Sequence, residues 1–391
     1  MKQVYMDYAA GKPIDGRVLE EMIPYFSQKF GNPSSAHTFS SIARDAIEEA
    51  RGKVAQLIGA EQHTEIVFTS GGTESNNLAI KGAALRNVSQ GNHIVTSSIE
   101  HMSVINPCKY LSTQGFDVTY LPVDEHGFVD LDALSAAISA KTVLVSIAWA
   151  NGEIGTVEPI AEIGELVHSH GALFHVDAVA AAGQVPIDVR QANVDLLSLT
   201  SNDLYGPRGV GALYVKAGAR IQPLFHGGGQ ERGLRSGTEN LPGIVGMGRA
   251  AELAHNEQTA ESDRLTGLRD RLIEEAVTGI PEAYLNGPPR TRLPNNANMR
   301  FSYIEGESLI LSLDMEGVIC SSGSACSSKT LEPSHVLLAI GLKHEEAHGS
   351  LLFTLGRRND EGDLKYVLTV LPRVVRRLRR ISPLTPKELI Q

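Results

Sequence analysis

The sequence predicts an α/β protein with a mostly parallel central sheet, helices on both faces, and a smaller α+β domain toward the carboxyl terminus. Three observations lead there. At 391 residues the chain exceeds the usual single-domain length. Short β-rich runs alternate with stretches of helical spacing through most of the chain, the order that builds a parallel sheet from crossover units. Beyond about Asn256 the texture changes to one long charged helical stretch, then shorter strand and helix signals.

Strand runs fall at residues 65–70, 92–96, 142–148, 172–176, 196–200 and 211–215, and residues 130–140 and 160–170 have helical spacing. Residues 65–70 end in the turn Gly71-Gly72, after which a helix is expected to open at Thr73. Residues 172–176 run into Asp177, and the run closing at Thr200 passes through Gly206-Pro207 into 211–215. The charged helix is expected over 261–276. These signals divide the chain into a large domain, residues 16–256, and a small α+β domain formed by residues 1–15 and 257–391. The basic amphipathic stretch 374–381 reads as a solvated helix face in preference to a docking surface for an acidic partner.

Composition narrows the function classes. Hydrophobic residues at 42% and charged residues at 20% suit a globular protein. A net charge of -10 argues against nucleic acid, which needs a cationic face. No apolar run approaches the roughly 20 residues that span a bilayer, and residues 1–7 lack the apolar core of a signal peptide. Three cysteines, Cys108, Cys320 and Cys326, make no disulfide framework, and the spacing of the last two matches no zinc motif. A reducing cytoplasm is the expected location.

Three local motifs suggest ligand chemistry. Residues 65–77 read strand, glycine turn, helix, so Gly72 and Thr73 would offer backbone N–H groups to an anion. A simply capped helix, with Ser70 or Thr73 as N-cap, explains the same residues. The motif is neither a P-loop nor a dinucleotide fingerprint. Asp177 ends a buried strand, where open α/β sheets bind ligands, or else caps the next helix. His101, after Ser98-Ile99-Glu100, would stack on a flat ring or lie at the surface.

The loop Thr200-Ser201-Asn202-Asp203-Leu204-Tyr205-Gly206-Pro207-Arg208-Gly209 carries a wider resemblance. Together with Asp7-Tyr8-Ala9-Ala10, Gly31 to His37, Asn151 to Gly155, Gly227 to Thr238 and Ser321 to Ser328, it resembles the cysteine desulfurases of the class V, fold-type I pyridoxal 5'-phosphate (PLP) enzymes. The resemblance covers essentially the whole chain and implies a fold-type I PLP-dependent transferase. It implies that Gly72, Thr73, Thr200 and Asn202 hold the cofactor phosphate, that His101 stacks on the ring, and that Asn151 and Asp177 contact it, Asp177 at the pyridine nitrogen. Thr238 is expected to reach the phosphate of a neighbouring subunit in a homodimer, and Arg357 to hold the substrate carboxylate. Cys326, among small polar residues expected to form a mobile loop, is implied as the sulfur carrier that passes a persulfide to an iron–sulfur scaffold protein or other acceptor. Cys320 reads as a strand core residue, and Cys108 is given no role.

The departures cluster. Asp203 stands where the family has the lysine that forms an imine with the cofactor, and an aspartate has no amine. Asn202 replaces a histidine, Ala180 a glutamine, and Gly11-Lys12 the threonines that follow Asp-Tyr-x-Ala. Two readings follow. In the first, PLP is held without a covalent bond, L-cysteine gives its sulfur to Cys326 and leaves as L-alanine, and Lys12 or Asp203, or more distantly Lys329, moves the proton. In the second, the protein is a PLP-stabilised scaffold that holds sulfur or iron through Cys326, with Asp203 nearby, as in a shared 2Fe–2S cluster during iron–sulfur cluster assembly. An aminotransferase would also need the lysine and would not need Cys326.

Overall fold

The structure is a computed structural model that describes residues 2–323 and 333–389. Cys326 and Lys329 lie outside the described residues.

The large sheet has seven strands in the order Ile66–Thr69, Gly211–Val215, Leu196–Thr200, Leu173–Asp177, Thr142–Ala148, His93–Ser97 and Asp117–Leu121. Gly211–Val215 runs antiparallel to both its neighbours, and every other pair is parallel. The reason is chain length: the loop 201–210 is too short for a crossover helix, so Thr200 pairs with Gly211 in an antiparallel return. The inner strands are almost fully buried, as expected for a sheet covered on both faces. Asp117–Leu121 gave no strand signal in the sequence because it is an edge strand, half exposed and half polar.

The charged helix is longer than expected. It runs unbroken from Leu241 to Gly279, and residue 256 falls inside it. Leu241, Ile244 and Met247 pack into the core of the large sheet. Leu265, Leu268 and Leu272 pack into a second core with Val4, Met6, Phe301 and Phe353. That second core covers an antiparallel sheet ordered Ser350–Thr354, Asn296–Phe301 and Ala283–Leu285, and a parallel pair of Val4–Tyr5 with Val318–Ile319. The amino-terminal strand therefore belongs with the carboxyl-terminal elements. Helix Glu361–Ile381 closes this core; its basic run is only partly a solvated face, since Arg379 is buried and donates to the carbonyls of Pro281, Glu282 and Ser302. No helix among the described residues is long and apolar enough to cross a membrane.

Candidate active site

The carboxyl ends of the parallel strands open onto a cavity of about 450 Å³, the position at which open α/β sheets bind ligands. It is lined by Lys12, Gly72, Thr73, His101, Asn151, Asp177, Thr200, Asn202 and Asp203, residues that the sequence scatters over nearly two hundred positions.

One wall is a helix start. After strand Ile66–Thr69 the chain turns at Gly71, whose φ of 150° suits glycine, and helix Gly72–Arg86 begins. Neither Ser70 nor Thr73 is the N-cap: the cap is Gly71, and no side chain caps the N–H groups of the first turn. Those N–H groups are left for an anion. A Cβ on Gly72 would meet Val179 Cγ2 at 2.7 Å, so this approach is closed to larger residues. Glu74 turns away from the cavity: it accepts from Ser70 N at 2.8 Å and pairs with Arg235 at 2.9 Å, tying the helix start to the loop that carries Thr238.

The cavity floor is Asp177. It is 7% exposed, and accepts from Asn76 Nδ2 at 2.7 Å and Val179 N at 3.0 Å. Asn76 also donates to Ser103 Oγ, and Ser103 Oγ lies 2.7 Å from His101 Nδ1. His101 is the N-cap of helix Met102–Thr113, accepting from Ser103 N. A hydrogen-bonded chain thus runs Asp177–Asn76–Ser103–His101. Beneath Asp177 on the same strand, His175 bridges Ser146 Oγ and Ser198 Oγ; burial lowers it to about 3, so it is neutral. Burial raises Asp177 above the usual carboxylate range.

Asn202 and Asp203 form the opposite wall in a short turn, Asn202–Leu204, that ends with Tyr205 in the left-handed region. Lys12 Nζ donates to the Asp203 carbonyl at 2.7 Å, lies 3.8 Å from Asp203 Oδ1, and sits 5.3 Å over the Tyr205 ring. Burial lowers the Lys12 amine and raises the Asp203 carboxyl, and each opposes the other's shift by its charge. Thr200 Oγ1 donates to Val210 O, and Asn202 Oδ1 accepts from Arg208 Nε. Asn151 spends Oδ1 on Glu153 N and Ile154 N and donates once to Ile99 O, leaving one N–H.

Two expected site residues stand elsewhere. Thr238 is exposed and does not line the cavity. Arg357, expected at the substrate carboxylate, pairs its guanidinium with Asp15 at 2.5 Å and Glu257 at 3.1 Å and stacks 4.5 Å over the Tyr205 ring. It faces a small separate cavity behind Asp203 and Tyr205. Leu352 and Thr354, from the strand that leads to Arg357, face the main cavity instead.

Three further titratable groups line the cavity. Glu100 is 1% exposed; burial pushes it up to about 8, and its Oε2 has no partner among the described residues. Glu153 is pushed up to about 7 by burial and packs on Gly323, where a Cβ would meet Glu153 Cγ at 2.8 Å. His335 Nε2 bonds to the Glu100 carbonyl at 3.0 Å. Glu100 was within reach of inference, adjoining His101; His335 carries no local signal. Cys108 and Cys320 are buried, and burial raises Cys108 to about 12 and Cys320 higher still, so neither is a ready thiolate. Among the described residues no group of three or more His, Cys, Asp or Glu is arranged to hold a metal.

These residues fit a PLP ring and phosphate. An uncapped helix start suits a dianion, and a desolvated carboxylate held by amide donors alone suits a protonated ring nitrogen. They do not fit a covalent anchor on the loop, since Asp203 has no amine.

Comparison with known proteins identifies a family and its relatives. The profile of the family described as aminotransferase class-V matches residues 4–367. The chain is 58% identical over 380 residues to cysteine desulfurase IscS 1 of Archaeoglobus fulgidus, covering 97% of this chain and 99% of that one. It is 54% identical over 382 residues to cysteine desulfurase IscS of Dictyoglomus turgidum, covering 98% and 97%. Among solved structures it superposes on a NifS-like protein with a TM-score of 0.90 at 38% identity, covering 96% of this chain and 99% of that one. A structure described as SspA in complex with cysteine gives a TM-score of 0.80 at 39% identity, covering 90% and 98%.

Proposed function

The chain belongs to the aminotransferase class-V family and, within it, to the IscS/NifS-like cysteine desulfurases, and on that premise we propose how its own residues move sulfur from L-cysteine to an acceptor. The observation that carries the reading is Asp177, buried and held by Asn76 and Val179 N, facing an open helix start across one cavity.

Gly72, Thr73, Thr200 and Asn202 hold the phosphate through backbone and side-chain donors. Asp177 pairs with the ring nitrogen, and the Asn76–Ser103 bridge sets the His101 ring against the cofactor while Asn151 offers its remaining N–H. PLP bound there supplies the electron sink that makes the Cβ–S bond of an amino acid breakable. Without an amine at Asp203, binding is non-covalent. Asp203, raised by burial, holds and returns the substrate proton. The Cys326 thiolate attacks the substrate sulfur: an S–S bond forms, the Cβ–S bond breaks, and the electron pair left on carbon takes a proton. L-cysteine and the Cys326 thiol become L-alanine and a Cys326 persulfide.

The persulfide then serves iron–sulfur cluster assembly through a scaffold protein or another acceptor in the cytoplasm. Two copies form the working unit, with Thr238 of each completing the phosphate site of the other. The two cores support residues 16–256 as the cofactor domain, with 1–15 and 257–391 as the small domain. Asp203 favours one second reading, in which Cys326 holds sulfur or iron, such as a shared 2Fe–2S cluster, on a scaffold that turns over no cysteine.

The test is to incubate the PLP-loaded protein with L-cysteine and quantify alanine and protein persulfide together. Equal amounts of both support the enzyme. Persulfide or iron bound without alanine supports the scaffold.

A further inference from the structure

We propose that Arg51 and Arg235 are positioning residues for the neighbouring subunit: they brace the loop that ends at Thr238, so replacing either one weakens PLP binding in the other chain's site and not in its own. This rests on the shared phosphate site proposed above and names the groups that present Thr238.

Backbone preference does not give the loop 227–238 its shape. Glu231 and Arg232 both lie in the left-handed region, with φ of 48° and 56°, a conformation that side chains of this size avoid. Such strain persists where the surroundings over-determine it. The first brace is buried: Glu231 is 7% exposed, Arg51 is 4% exposed, and Arg51 donates to it from Nη1 at 2.7 Å and Nη2 at 2.8 Å. A bidentate guanidinium fixes a carboxylate in direction as well as in distance. Glu231 also accepts from Phe68 N at 2.9 Å, and Arg51 and Arg232 both donate to Ile66 O. Strand Ile66–Thr69 is an edge of the large sheet, so the loop and Arg51 take up its outward-facing backbone groups.

The second brace is Arg235, three residues before Thr238, which pairs with Glu74 at 2.9 Å. Burial acts against the charge on Glu74, yet Arg235 and Ser70 outweigh it and hold the carboxyl below its ordinary value. Glu74 keeps Ser70 N as a partner of its own, so the helix start does not depend on Arg235 alone. Between the braces the loop closes on itself: Gly237 N donates to Gln230 Oε1 at 2.9 Å and Gly229 N to Ser236 Oγ at 3.3 Å. Thr238 leaves this closed loop exposed. Neither it nor Arg51 nor Arg235 lines the cavity of its own chain. What the two braces fix is therefore the place of Thr238 relative to a second copy.

Mixed dimers separate the two directions. Differently tagged chains are co-expressed, and PLP sites of wild-type affinity are counted per dimer by equilibrium dialysis of the cofactor-free protein. Asp177→Asn marks one chain's own site as weak. With Arg235→Gln in that same chain, both sites should be weak, the second by about tenfold, the scale of one charge-assisted hydrogen bond. With Arg235→Gln in the opposite chain, one site should keep wild-type affinity. Arg51→Lys, which keeps the charge and loses the bidentate grip, should follow the same pattern even if Arg235→Gln folds poorly. Arg235→Lys, which can still pair with Glu74, should keep one tight site in either arrangement. The reverse assignment, or a tight site in both arrangements with Arg235→Gln and Arg51→Lys, overturns the proposal. Thr238→Ala should match Arg235→Gln; a tight site in both arrangements with Thr238→Ala would remove the shared-site reading itself, and the proposal with it.

Discussion

Lys12 Nζ lies 2.7 Å from the main-chain oxygen of Asp203 and 3.8 Å from its Oδ1, so the side chain that cannot form an imine is held by the amine nearest to it. Opposite charges that are both largely desolvated depend on each other more than a surface pair does. The pair also joins the amino-terminal segment to the loop 200–209.

That dependence is measurable. Lys12→Met and Asp203→Asn should each destabilise the protein, and the double variant should lose less than the sum. The coupling energy should be about 1–3 kcal/mol by urea denaturation of all four proteins. Strict additivity would show that the pair is incidental.

Asp203→Lys puts an amine on the loop beside the cavity. Alanine formation from L-cysteine should rise at least about tenfold, with the visible spectrum shifting to that of a lysine-bound cofactor. Borohydride treatment of the unmodified protein should leave no cofactor-modified lysine. Cys326→Ala should abolish protein persulfide in either background.

Asp177→Asn removes the charge proposed to pair with the ring nitrogen while keeping the side-chain shape. PLP affinity should fall by about tenfold or more, the usual worth of a charge-assisted bond. Equilibrium dialysis reads this directly, and an unchanged Kd would place the ring elsewhere.

Buried carboxyls set a pH dependence. Glu100 ionises near its ordinary value of 4.5 in the unfolded chain and at about 8 in the folded protein. Between those values the folded state keeps a proton that the unfolded state has released. Its stabilising contribution is therefore complete below 4.5 and is lost as pH rises toward about 8. Glu158 and Glu153, raised to about 8 and about 7, act in the same direction. The Tm of the cofactor-free protein should fall from about pH 5 to about pH 8, and Glu100→Gln should make that slope shallower.

The loop carrying Thr238 is tied to the helix start through Arg235 and Glu74. If two copies complete each other's phosphate site, dilution to monomer should release PLP from both at once. Sedimentation across a dilution series with PLP occupancy measured in parallel tests this. Full occupancy in a monomer would remove Thr238 from the site.

The central strands were legible because their signals are local. The glycine turn at Gly71-Gly72, Asp177 at a strand end and the turn through Gly206-Pro207 into strand Gly211–Val215 each depend on a few neighbouring residues. The edge strand Asp117–Leu121 was hidden because half its side chains face solvent. The full span of helix Leu241–Gly279 was hidden because its two halves serve different cores, so no single apolar stripe runs its length.

The sequence by itself determined the α/β layout and the family, both of which follow from residue type and order. Only the tertiary structure decided which cation faces the cavity. Lys12 meets Asp203 across 191 positions and Arg357 meets Asp15 across 342. No local pattern encodes such pairings, because an ion pair is chosen by which charges the fold brings within a few ångströms while excluding water.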